Sequence, residues 1–341
     1  MTIEQSLLDN KVKYILRSYP RGHAATVPIV YSCDHPTRTV NVDLTGDCFL
    51  CSCEAWLPLS VGKITDFERL EDIWLNPTAK ELQQDIADKK FTYCAVEHCG
   101  IVGKDILLDR YHVSINIDES CNLACPSCRK EQINHLSGAV FAEKQTYINH
   151  FVRLINNFDL PLHLTMSGNG DPLASASMRP LVLNWIPKDN QTIKLFTNGL
   201  LMKKLLPNST IFPNIKEYQL SVDAGSKAVY EVVRRPGKFS VLQDNLQWLS
   251  RNRLPDTQVS LLLCVSASNA HDIVNFANMC DQYGFIGGIT KLDNWYTFDN
   301  FSDHDVIGNL YHPLRNDALA QLRTVSKMSH ITINPFLQKF I

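Results

Sequence analysis

The sequence predicts an α/β fold: a partial (β/α)6 TIM-like barrel preceded by a small α+β domain. Three observations predict it. From residue 111 onward, short alternating apolar runs take turns with amphipathic helical stretches. Repeating strand–helix units imply a parallel sheet, and six of them fit an open six-stranded barrel. Residues 31–105 break that rhythm with a turn-and-cysteine pattern of their own. A cysteine-rich loop follows the first strand of the repeat, at the strand end where such folds place chemistry.

The elements follow in chain order. A helix is expected over 3–17, ended by Pro20, in an N-terminal segment of residues 1–30. Val40, Val42 and Leu44 alternate as a strand, Thr45-Gly46-Asp47 is a turn, and Cys48–Cys53 reads as a second strand. A helix is expected over 70–87, with Glu71 and Asp72 suited to its N-terminus. The barrel, residues 106–295, starts with the strand Val113–Ile117. Further strands are expected at Leu162–Met166, Ile193–Phe196, Tyr218–Val222, Val259–Val265 and Phe285–Ile289. Between them, helices are expected over Ala142–Phe158, Met178–Trp185, Val241–Leu249 and His271–Tyr283. Residues 296–341 form a C-terminal extension, expected to cover the open side or bottom of the barrel.

Composition bounds the function. The chain has 341 residues, 45% hydrophobic and 20% charged, as in ordinary globular proteins. Thirty-three basic against thirty-five acidic residues give a net charge of −2, which disfavours nucleic acid as a partner. The N-terminus has no basic-then-apolar leader pattern, and no apolar run has the length of a membrane span. A cytoplasmic location and no membrane partner are expected. Nine of the eleven cysteines precede residue 130, which points to metal binding rather than disulfides. Cys264 and Cys280 lie in apolar segments and read as core.

The central motif is Cys121-Asn-Leu-Ala-Cys125-Pro-Ser-Cys128. Asp118, Glu119 and Ser120 break the preceding strand, so the thiols fall on the loop. Three thiolates on a short loop can bind three irons of a cubane cluster and leave the fourth open. A zinc site remains an alternative on spacing alone, with His135 the nearest fourth ligand. A second set, Cys51, Cys53, Cys94 and Cys99, offers four thiolates. Zinc or an iron–sulfur cluster would suit it. Cys33, Cys48 and His98 are possible replacements.

The loop resembles the signature of the radical S-adenosylmethionine (SAM) enzymes. That resemblance implies that Cys121, Cys125 and Cys128 hold a [4Fe–4S] cluster whose open iron chelates SAM. It implies reductive cleavage to a 5′-deoxyadenosyl radical that abstracts hydrogen from a substrate, and an electron donor such as flavodoxin or ferredoxin. Ser127 stands where many members have an aromatic residue, which removes one contact near the adenine. The run from the turn through Cys51, Cys53, Trp56 and Pro58 to Cys94 and Cys99 resembles the auxiliary-cluster (SPASM or twitch) modules of these enzymes, which imply an auxiliary [4Fe–4S] cluster. Those modules usually follow the barrel; here the module precedes it.

Strand ends supply the remaining candidates. Ser167-Gly168-Asn169-Gly170-Asp171 resembles the "GGE" motif that meets the SAM amino group, with Asn169 and Asp171 replacing Gly and Glu. Thr197-Asn198-Gly199 matches a cavity-facing position of the family. Period-two spacing puts Ser221 and Asp223 on one face, suited to the ribose hydroxyls. Arg234 offers a cation for a SAM or substrate carboxylate. Ser266 and Asn269 are candidate adenosyl contacts, and Trp295 and Tyr296 could touch substrate or pack. The resemblance favours a peptide substrate, as for a maturase-like oxidoreductase. A sugar or nucleotide substrate, or a non-catalytic zinc or iron–sulfur module, are the alternatives.

Overall fold

The computed structural model describes residues 33–51, 59–94, 99, 108–167 and 169–341. The helix expected over 3–17, together with Cys53, Trp56, Pro58, His98 and Gly168, lies outside the described residues. Ten strands are described, most of them parallel to their neighbours. They are β1 Thr39–Val42, β2 Asp47–Phe49, β3 Ser60–Lys63, β4 Tyr111–Ile115, β5 Leu162–Met166, β6 Gln191–Thr197, β7 Ile215–Ser221, β8 Gln258–Val265, β9 Ile286–Lys291 and β10 Ile331–Ile333. The chain divides into two compact units. One comprises residues 1–117, 137–169 and 187–192; the other comprises 118–136, 170–186 and 193–341.

In the first unit the strand order is β5-β4-β1-β2-β3. β1 runs parallel to β4, with Thr39 opposite His112 and Val42 opposite Ile115. All four β1 residues are buried, as a strand covered on both faces requires. β2 returns antiparallel to β1 through a tight turn. There the Asp43 carboxylate accepts from the Thr45 and Asp47 backbone N–H groups at 2.8 and 3.0 Å. Gly46 has φ +78°, and a Cβ there would lie 2.9 Å from the Tyr147 ring. Only glycine meets both demands. The helix Gly138–Asn156 buries Tyr147, Ile148, Phe151, Leu154 and Ile155 at helical spacing.

The helix expected over 70–87 is two helices, Asp72–Leu75 and Pro77–Ala87. Asn76 separates them with an extended backbone, and its side chain accepts from the Ala79 N–H at 3.0 Å. A residue before proline is pushed out of the α region, and Asn-Pro is a favoured helix start.

In the second unit the order is β10-β9-β8-β7-β6, all parallel. β8 buries Val259, Leu261, Leu263 and Val265 in strict alternation. The helix Ile273–Tyr283 ends at Gly284, φ +66°, a left-handed cap. The C-terminal extension forms the helix Arg315–Val325 and then β10, which adds to β9 with Ile333 opposite Ile289. No described helix is long and apolar enough to cross a membrane.

Candidate metal and cofactor site

The cysteine loop, its anchors and the strand ends discussed next belong to the second unit. Asp118 is the main anchor. Its carboxylate accepts from the Ser120 N–H at 2.9 Å and from the Ser175 and Ser177 hydroxyls at 2.5 Å. Burial pushes this carboxyl up, but those hydrogen bonds outweigh burial and hold it below the usual carboxylate range. Cys121 N–H donates to Ile133 O at 2.8 Å, and Arg129 donates to Glu119 O at 2.6 Å. The Ala124 N–H donates to Arg235 O, and the Arg235 side chain donates back to Ala124 O at 2.9 Å. His135 faces Glu119, with Nε2 3.0 Å from its carboxylate. The nearest candidate for a fourth zinc ligand is therefore engaged elsewhere.

Cys121 and Cys125 are buried in one cluster with Leu123 and Leu200; Cys128 is exposed. Burial, then the charge of Asp171, pushes the Cys121 thiol up to about 11. Burial also raises Cys125, against the pull of Arg234. Buried thiols in this state need a cation or metal to be held as thiolates. Cations are present: Arg234 Nη1 donates to Cys125 Sγ at 3.6 Å, and Arg129 lies beside the three thiols. Arg234 Nε is buried with no hydrogen-bond partner among the described residues. An orphaned donor on the cation that meets Cys125 suits an anionic, thiolate-ligated cluster, so these residues fit the [4Fe–4S] group.

Gly170 passes so close to the loop that a Cβ would lie 2.1 Å from Ser120 O. Asp171 is buried and its carboxylate is fully engaged. One oxygen accepts from the Leu173 and Ala174 N–H groups at 2.9 and 3.3 Å. The other accepts from the Thr197 hydroxyl and the Asn198 N–H, both at 2.7 Å. These bonds give the side chain an internal role, fastening the end of β6. Asn198 reaches the cysteine loop, with Nδ2 2.8 Å from Asn122 Oδ1 and 3.8 Å from Cys121 Sγ. Asn169 is half-buried in the first unit.

Ser221 ends β7 half-buried. Asp223 lies beyond the strand with φ +59°, so strand periodicity does not carry to it and the expected shared face is lost. Its carboxylate accepts from the Cys264 N–H at 2.8 Å and pairs with Arg234 Nη2 at 2.7 Å. Asn269 donates to Asp223 O at 3.0 Å and accepts from the Ser266 N–H at 2.7 Å. Arg234 therefore bridges Asp223 and Cys125 rather than standing free for a ligand carboxylate. Trp295 and Tyr296 are exposed. Just after them, a cavity of about 510 Å³ is lined by Pro126, Arg129, Arg235, Thr297, Phe298 and His304, among others.

The second cysteine set lies in the first unit. Cys51 is buried; Cys33, Cys94 and Cys99 are half-buried. Burial, then the nearby Cys51, Cys33 and Cys99 thiols, pushes Cys94 up to about 12. Cys33 also senses Cys99. Cys48 is buried beside Asp47, Asp43 and Asp66. Cys94 therefore has the Cys51, Cys33 and Cys99 thiols in its neighbourhood. Cys33 precedes β1 and Cys51 follows β2, so the antiparallel pair brings both to one end, where the Thr39 hydroxyl reaches Leu50 O.

A protein-family profile described as SPASM, an iron–sulfur cluster-binding domain, matches residues 33–100. Mycofactocin maturase MftC of Mycobacterium ulcerans (strain Agy99) is 24% identical over 174 residues, 51% of this chain and 45% of that protein. Mycofactocin maturase MftC of Mycolicibacterium smegmatis is 22% identical over the same length, 51% of this chain and 42% of that one. The match thus spans less than half the length of these curated relatives. Among solved structures, Streptococcus suis SuiB bound to precursor peptide SuiA gives a TM-score of 0.40 at 10% identity, covering 89% of this chain and 73% of that one. The enzyme anSMEcpe with bound AdoMet gives 0.39 at 15% identity, covering 54% and 50%. The chain thus resembles the radical SAM enzymes, and its residues 33–100 match a SPASM iron–sulfur cluster-binding domain.

Proposed function

We propose that the protein cleaves SAM reductively at a [4Fe–4S] cluster held by Cys121, Cys125 and Cys128 and directs the resulting hydrogen abstraction to a peptide substrate. One observation carries the reading. Three cysteines share one loop whose entry is held by Asp118 and whose Cys121 and Cys125 sulfurs meet Asn198 and Arg234, from segments following β6 and β7. When bound, such a cluster supplies an open iron for SAM and the electron for its cleavage. The chain's own residues do the rest. Asp118, through Ser120, Ser175 and Ser177, holds the loop entry. Asp171 fastens Thr197 and Asn198, so that Asn198 meets Asn122 and Cys121. Gly170 leaves room for the backbone to run against Ser120, and we assign any SAM contact of this turn to its backbone. Ser221 stays available for the ribose. The cavity beside Pro126 and Arg129, walled by Phe298 and His304, receives the substrate segment.

We assign the auxiliary site to Cys33, Cys51, Cys94 and Cys99. Four thiolates make a closed cluster, which suits electron transfer better than substrate binding. The peptide assignment follows the resemblance and the maturase name of the curated relatives. The test is anaerobic. The protein is reconstituted with iron and sulfide, given SAM, a strong reductant and candidate peptides, and assayed for 5′-deoxyadenosine beside Cys125→Ala. Formation in the wild type and its loss in the variant supports the reading. Cluster-loaded protein that neither binds SAM nor forms the product overturns it.

A further inference from the structure

We propose that Arg234 raises the reduction potential of the cluster held by Cys121, Cys125 and Cys128, acting as a buried positioning cation bonded to the Cys125 sulfur. The inference rests on the cluster assignment above. Arg234 caps the helix Lys227–Val233 at its C-terminal end, and its side chain is only 13% exposed. Its guanidinium is held from two sides. Nη2 lies 2.7 Å from Asp223, whose other oxygen is fixed by the Cys264 N–H at 2.8 Å. Nη1 points at Cys125 Sγ, 3.6 Å away.

A buried ion pair is weak grounds for a stabilising role, because apolar residues of similar volume serve stability as well. The direction of the third contact gives it another use. The sulfur of Cys121 receives two neutral donors, the Leu123 N–H at 3.4 Å and Asn198 Nδ2 at 3.8 Å. Cys125 receives a charged donor locked by a buried carboxylate. Half-buried Arg129 hydrogen-bonds the exposed Cys128 thiol, where water screens its charge more than that of Arg234. Reduction adds one electron, delivered by an external low-potential one-electron donor, and makes the cluster one charge more negative. Hydrogen bonds to the sulfurs and nearby net charge set cluster potentials. A desolvated cation bonded to one thiolate stabilises the reduced state more than the oxidised one and eases the reduction that SAM cleavage requires.

The test is a redox titration of the reconstituted full chain without SAM. It follows, by electron paramagnetic resonance, the reduced-cluster signal that Cys125→Ala abolishes. Two variants are compared with wild type. Arg234→Lys keeps the charge and loses the two-sided fork. The double variant Arg234→Met, Asp223→Asn removes both charges and leaves no carboxylate unpaired. The expected result is a more negative midpoint in the double variant by at least a tenfold shift in the reduced-to-oxidised ratio, 59 mV for a one-electron couple, and a smaller shift of the same sign in Arg234→Lys. Loaded variants whose ratio stays within twofold of wild type overturn the proposal, as does a change in SAM affinity with no change in midpoint. Should the double variant fail to load, Arg234→Lys decides; failure of both to load makes Arg234 structural and also overturns it. A wild type without any such signal overturns the cluster assignment instead.

Discussion

Asp171 shows how much one buried carboxylate can organise. Four donors converge on it, from Leu173, Ala174, Thr197 and Asn198. Asp171→Ala would strand several buried donors at once, each at about 1–3 kcal/mol. Chemical denaturation should show a loss of about 3 kcal/mol or more, and a loss below about 1 kcal/mol would contradict the role. Gly170 makes a separate demand. A methyl group there would have to displace the Ser120 carbonyl. Gly170→Ala is expected to weaken SAM binding, read by equilibrium dialysis, more than it changes iron content, because the thiols lie on the far side of that contact in the chain. Residue types at this turn were legible in the sequence. The internal bonds of Asp171 were not, because its partners Thr197 and Asn198 come from a distant strand end.

At the scale of elements, Asn76 is the clearest case of a local signal outweighing a periodic one. Apolar spacing runs on through 70–87, yet Asn76-Pro77 resets the helix. Asn76→Ala removes the cap and should cost about 1 kcal/mol, seen as a lower denaturant midpoint with an unchanged slope. The six expected strands were legible as short runs rich in apolar residues, most of them alternating. The structure extends or shifts each by one to three residues, except Leu162–Met166, which matches. β10 was not legible, because Ile331-Thr-Ile333 is too short to declare a period and exists through its pairing with β9. The proximity of Cys33 to Cys51 is a related case. Their distance along the chain says little, whereas the β1–β2 hairpin, itself legible, closes it. The burial of Arg234 was hidden because an Arg-Arg-Pro-Gly run normally reads as a solvated turn.

For the molecule as a whole, net charge is close to zero, so its response to pH is set by buried groups rather than by general repulsion. His112 on β4 is one such group. Burial, then the neighbouring His163 ring at 5.2 Å, lowers it to about 4. A histidine depressed on folding binds protons more readily in the unfolded chain. Stability is therefore fully present above about pH 6.5 and is lost as pH falls toward 4. Because the ring is partly exposed, the loss is discounted to about 1 kcal/mol. Thermal midpoints of the metal-free protein at pH 7 and pH 4.5 should show a drop that is smaller in His112→Gln. An equal drop in both would remove His112 as the cause.

The central claim is that the loop of Cys121, Cys125 and Cys128 holds a cluster with one iron open to SAM. The most direct measurement is the electron paramagnetic resonance spectrum of the reduced, reconstituted protein before and after adding SAM, beside Cys125→Ala. The account predicts that SAM perturbs one cluster signal in the wild type. It also predicts that the variant lacks that signal while keeping the one assigned to Cys33, Cys51, Cys94 and Cys99. A wild type with intact clusters whose spectrum is indifferent to SAM would contradict it.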